Sequence, residues 1–88
     1  MEADNPAISP EELAAIRRRC DEATPGPWAS WVEGRDHWGG DDIIQTAGED
    51  IYPYGATVAD KDFIAHARQD IPRLLAEIER LTALLSGR

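Results

Sequence analysis

Eighty-eight residues, 42% of them hydrophobic, make one domain near the lower limit of what folds without staples. The single cysteine, Cys20, excludes an internal disulfide and gives no zinc-ligand spacing, and no run approaches the ~20 apolar residues of a membrane span. A formal net charge of −8 opposes phosphate backbones, so direct nucleic-acid binding is not expected.

Residues 1–8 read as a disordered lead-in, acidic and unlike an export signal, which with the lone thiol points to the cytoplasm. Ser9, Pro10 and Glu12 then form a capping-box start, with Ile8 and Leu13 placed as a hydrophobic staple. Leu13, Ile16, Cys20 and Ala23 recur at helical spacing, so a first helix is predicted over residues 10–23, with Cys20 a buried, inert thiol on its apolar stripe. Thr24-Pro25-Gly26-Pro27 stops it and delivers Trp28 extended.

Residues 28–34 read as a strand in which Trp28 and Trp31 face opposite ways, Trp28 toward the core. Residues 35–42 read as a loop or wide hairpin turn, and residues 43–46 as a second strand. Ile51, Tyr52 and Tyr54 suggest a third strand, interrupted or edged by Pro53, and residues 55–59 either extend it or form a fourth.

Asp60 is placed to cap a second helical region. There Ile64, Ala67, Ile71, Leu74, Ile78, Leu81 and Leu85 repeat with a period of 3.5. Pro72 after Asp70 reads as a new first turn, so a short helix over 61–69, a break, and a long amphipathic helix over 71–85 are expected. Asp70 with Arg73, and Arg73 with Glu77, would support its exposed face. The fold class is α+β: a single domain over 9–88, with a small antiparallel sheet of three or four strands and the two terminal helices packed together on one sheet face.

Charge and aromatics concentrate in the middle of the chain. Residues 33–62 hold eight acids (Glu33, Asp36, Asp41, Asp42, Glu49, Asp50, Asp60, Asp62) against Arg35 and Lys61, a net of −6. The candidate partner-binding residues are Trp31, Glu33, Asp36, His37, Trp38, Asp41 and Asp42, with Tyr52 or Tyr54 joining the two tryptophans in an exposed aromatic patch. The plainer reading is an acidic solvated loop and packed aromatics. Asp36, His37, Asp41 and Asp42 could hold a hard divalent ion, but their spacing matches no calcium loop or zinc motif, and no metal or other cofactor is expected. No nucleophile elbow, phosphate loop or dinucleotide fingerprint occurs, so no catalytic residue is assigned. His66 shares a helix face with Asp62 and Asp70, which reads as surface helix support.

Two segments resemble a known group. Residues 19–28, RCDEATPGPW, and residues 59–67, ADKDFIAHA, leading into Leu74-Leu75, are similar to the Ead-like small proteins of phage early regions and prophages and to their uncharacterised actinobacterial relatives. The likeness covers roughly residues 10–85. The chain departs from that group in its tryptophan- and acid-rich insert between the first two strands, and in Ala65-His66-Ala67-Arg68 where many relatives have an asparagine-proline step. The resemblance implies a small phage or prophage accessory protein and supplies no catalytic residues.

Three functions follow as expectations. The first is a non-catalytic accessory protein acting by protein–protein interaction, on a partner whose surface could be basic. The second is an acidic immunity protein or inhibitor that blocks a toxin or nuclease by mimicking nucleic-acid charge. The third, with no motif behind it, is a metal-dependent enzyme or small-ligand binder. The seam Ile71, Leu74, Ile78, Leu81 and Leu85, flanked by Leu75 and Leu84, is more apolar surface than the first helix can cover, so a homodimer is expected.

Overall fold

Ser9 does what its spacing predicts. In the computed structural model, which describes residues 7–87, the Ser9 hydroxyl accepts from the Glu12 N–H at 3.1 Å and the Glu12 carboxylate accepts from the Ser9 N–H at 2.8 Å. This reciprocal pair satisfies two otherwise orphaned donors and starts α1, Pro10–Glu22. The expected lead-in over 1–8 lies outside the described residues except for Ala7 and Ile8; Ile8 is exposed. Two three-residue strands follow, β1 (Ala29–Trp31) and β2 (Ile43–Gln45), paired antiparallel with Ser30 opposite Ile44. A 29-residue helix, α2 (Val58–Ser86), completes the order.

The α+β class and the long C-terminal helix match the sequence reading, and several details differ. Where three or four strands were expected, two are formed among the described residues. Ile51 joins β2 only by a single bridge, exchanging N–H···O bonds of 2.8 and 2.9 Å with Ile44. Pro53 has no N–H to extend that pairing and Gly55 turns the chain at φ +86°, so the ladder ends after one rung. The cap of α2 is Thr57, not Asp60. Asp60 stands three residues later as the reciprocal partner in a second capping box.

Helix α2 also runs unbroken through Pro72. Proline cannot donate to the Arg68 carbonyl one turn back, but more than three helical turns on each side, packed against other elements, carry the helix across that gap. Finally, α1 packs on α2 as expected, but only α2 covers the sheet. The helices run antiparallel, with Pro10 and Leu13 near Ile78 and Glu79, and Cys20 and Ala23 near Ile64 and Ala67. The Arg17–Glu79 ion pair at 2.8 Å ties them together. On the exposed face of α2 the observed pair is Glu77 with Arg80, in place of the expected pairings of Arg73.

The buried set is small: Val32, Ile43, Ile44, Ala65 and Leu75. Ile43, Ile44 and Val32 come from the sheet and its edge, Ala65 from the α2 turn that faces them, and Leu75 lies beside α1. Cys20, expected to be buried, is half-buried beside Trp28 and Ile71. The molecule measures 54 × 32 × 19 Å with a radius of gyration of 16.6 Å. A compact chain of this length would have about 12 Å. The elongation comes from α2, about 43 Å long at 1.5 Å per residue, against about 20 Å for α1. No helix among the described residues is long and apolar enough to cross a membrane.

Candidate functional site

The T-P-G-P-W turn anchors the sheet to α2. Gln69 uses its side-chain amide as a strand would use its backbone: Oε1 accepts from the Trp28 N–H at 2.7 Å and Nε2 donates to the Trp28 carbonyl at 3.2 Å. The Thr24 carbonyl accepts both the Trp28 indole N–H and the Arg68 Nε, each at 3.0 Å. A side chain at Gly26 would press on Gln69 and Arg68 at 3.2–3.3 Å, so glycine permits this close approach. Trp28, expected in the core, is half-buried, as is Trp31.

From this anchor β1 leads into the acidic segment, which is ordered by its own charges. The Asp36 carboxylate accepts from the Val32 N–H at 2.9 Å and from the Arg35 guanidinium at 2.7–3.0 Å. Arg35 continues to Asp62 on α2, at 2.9 and 3.2 Å. Asp42 accepts from the Glu33 N–H at 2.9 Å and from the Lys61 ammonium. The loop is thus stapled to the first turns of α2 at two points. These contacts favour the ionised carboxylates. Hydrogen bonds from Arg35, then from the Val32 N–H, hold Asp36 below its ordinary pKa; the Glu33 N–H and then Lys61 do so for Asp42, and Arg35 for Asp62. The Arg35 guanidinium is pushed up in return, chiefly by Asp36.

Two residues give this loop its shape by leaving the common backbone regions. Gly34 turns at φ +81°, which glycine tolerates, and His37 sits at φ +57°, which a residue with a Cβ adopts rarely. His37 is exposed at the loop tip.

The aromatic residues gather on Asp41. Trp31 and Trp38 lie with ring centroids 6.3 Å apart at 49°, and Tyr52 and Tyr54 stack at 6.1 Å and 17°. The Trp38 indole donates to the Asp41 carbonyl at 2.6 Å, while the Tyr54 hydroxyl donates to the Asp41 carboxylate at 3.0 Å, which pushes the Tyr54 pKa up. One acid thereby joins the tryptophan pair to the tyrosine pair. Trp31 is further oriented by its 3.1 Å bond to Gln45. Trp38 is 36% exposed, Tyr52 51% and Tyr54 78%.

Of the seven residues read as a partner site, Trp31, Trp38 and Asp41 come together with the tyrosines. Glu33 is exposed beside them through its bridge to Trp38, and His37 stands at the tip. Asp36 and Asp42 instead point their carboxylates into the loop and α2. The sequence reading missed Lys61, Arg68 and Gln69, which hold the surface from 19, 44 and 41 positions away. No local spacing signals them, since Gln69 lies on the side of the helix away from the apolar seam. His66 is held by its own helix, with Nδ1 2.9 Å from the Asp62 carbonyl. Among the described residues, no three histidine, cysteine or carboxylate side chains converge in a way that could hold a metal ion.

No family model, curated protein or solved structure matches the chain.

Proposed function

We propose that this chain is a non-catalytic interaction module that binds a protein partner through the aromatic surface around Asp41. The observation that carries this reading is the pinning of Trp38 and Tyr54 by one aspartate while both rings stay open to solvent. Exposed aromatics are common singly; a group of them fixed by hydrogen bonds presents contact area whose ordering cost has already been met. Tryptophan and tyrosine are also the side chains most often found at binding hot spots. Glu33 and Asp41 beside the rings suit arginine or lysine on the partner, through charge and through the ring faces. The strained His37 backbone at the loop tip fits a shape kept for recognition.

The resemblance of residues 19–28 and 59–67 to Ead-like proteins supports a phage or prophage accessory role, and the net charge of −8 disfavours direct contact with nucleic acid. The inhibitor reading draws on the net −6 of residues 33–62. It is the weaker one, because Asp36, Asp42 and Asp62 are engaged by Arg35 and Lys61, and Asp60 by the helix cap, which leaves Glu33, Asp41, Glu49 and Asp50 to imitate a phosphate backbone.

A photo-crosslinking amino acid in place of Tyr52, in cells of the native host, tests the proposal. A dominant crosslinked protein that disappears with Trp38→Ala is expected. Crosslinks unchanged by Trp38→Ala would place the partner elsewhere, and capture of a nuclease displaced by competing nucleic acid would favour the inhibitor.

A further inference from the structure

Helix α2 carries a second surface, unrelated to the aromatic one. Its sheet-facing side is marked by Lys61, Ala65 and Gln69, and its α1-facing side by Leu75 and Glu79. Between Phe63 and Leu85 runs a third side that no other described residue covers. Phe63 is 75% exposed, Leu74 61%, Leu81 45% and Leu85 74%, with the edges of Ile71 and Ile78 also open. This stripe spans about 33 Å of helix, while α1 ends its cover near Ile78.

We infer that this face is a homodimer interface, closed by the same face of a second copy across a two-fold axis. Three observations select a second copy as the occupant. The first is area. The chain exposes 6629 Å², whereas a compact monomer of 9.7 kDa exposes about 5100 Å². The excess is larger than the roughly 800 Å² each partner contributes to a stable interface of ordinary size.

The second is spacing. Leu74, Leu81 and Leu85 stand on the 3.5-residue period by which one helix seams against another, with Ile71 and Ile78 shared between that seam and the α1 groove. The third is charge. The net negative charge lies in residues 1–62, whereas residues 63–88 carry three acids and four arginines, so two copies can meet there without the repulsion that the rest of the surface imposes. Beside the stripe, Asp70, Arg73, Glu77 and Arg80 alternate in sign. Such a pattern can complement itself, as a surface shared by identical subunits must, with Asp70 and Arg73 open to the partner and Glu77 and Arg80 also paired within the helix.

Sedimentation velocity on the purified chain, from about 1 to about 100 μM at physiological salt, tests the inference. The expected mass is twice 9.7 kDa at the upper end. Leu74→Glu with Leu81→Glu, both off the α1 contact, should weaken association by at least about 100-fold with the helical circular dichroism retained, while Glu49→Gln leaves the dimer intact. Should the double variant fail to fold, hydrogen exchange on the wild type replaces it: amides of residues 74–85 should gain protection as concentration rises. A wild-type monomer at about 100 μM, a dimer that survives the double variant, or exchange independent of concentration would overturn the inference and leave the stripe to an unlike partner.

Discussion

At the scale of single residues, the structure depends on side chains that replace missing backbone partners. Gln69 is the clearest case, since its amide satisfies both the N–H and the carbonyl of Trp28. Gln69→Ala leaves a part-buried N–H without a partner and is expected to lower stability by about 1–3 kcal/mol in urea unfolding. A loss within error would mean that water substitutes freely. Gly34→Ala forces a Cβ into φ +81°, where the open space around it offers no packing in return, and should cost about 1 kcal/mol in the same assay. Neither role could be read from spacing alone. Ser9 and Glu12 were legible because a capping box is local. Gln69 meets Trp28 across 41 positions, and no short-range pattern encodes that contact.

At the scale of elements, the acidic loop and α2 are where reading and structure part most. The loop's composition suggests a free charged surface, yet Asp36 and Asp42 direct their charge to Arg35, Lys61 and two backbone N–H groups. The sequence shows how many acids there are, and only the folded chain shows which meet a base. A pH dependence follows. Asp36, Asp42 and Asp62 have folded pKa values below their ordinary 3.8, so the folded loop favours their charged forms. Their contribution is fully present above the ordinary value and is lost as pH falls through the lower folded ones. Acrylamide quenching of the tryptophans should stay constant from about pH 7 to about pH 5 and rise below about pH 4. Quenching that already rises near pH 6 would contradict this assignment. In α2, the 3.5-residue pattern was legible, and continuity through Pro72 was not, because proline serves equally as a first-turn residue. The two arrangements respond oppositely to Pro72→Ala. Inside one continuous helix the substitution restores a hydrogen bond and should stabilise, by up to about 3 kcal/mol. At the start of a separate helix it would be neutral or mildly destabilising.

At the scale of the whole molecule, a small core supports two unlike surfaces. Five buried hydrophobic residues among those described give the fold a thin margin, and the ion pairs between the loop and α2 add geometric definition more than stability. The aromatic surface lies on the sheet side of α2 and the apolar stripe along its free side, so pairing two copies through the stripe would leave both aromatic surfaces available. A dimer could then engage a multivalent partner with higher avidity than one chain. The claim on which this account rests is that binding goes through Trp38 and Tyr54. Calorimetric titration of the crosslinked partner, once purified, against wild type, Trp38→Ala and Tyr54→Ala is its most direct test. Affinity should fall by about 30-fold or more for Trp38→Ala, a hot-spot loss of about 2 kcal/mol, and by a smaller factor for Tyr54→Ala, with the helical circular dichroism unchanged. Wild-type affinity in both variants would contradict the account.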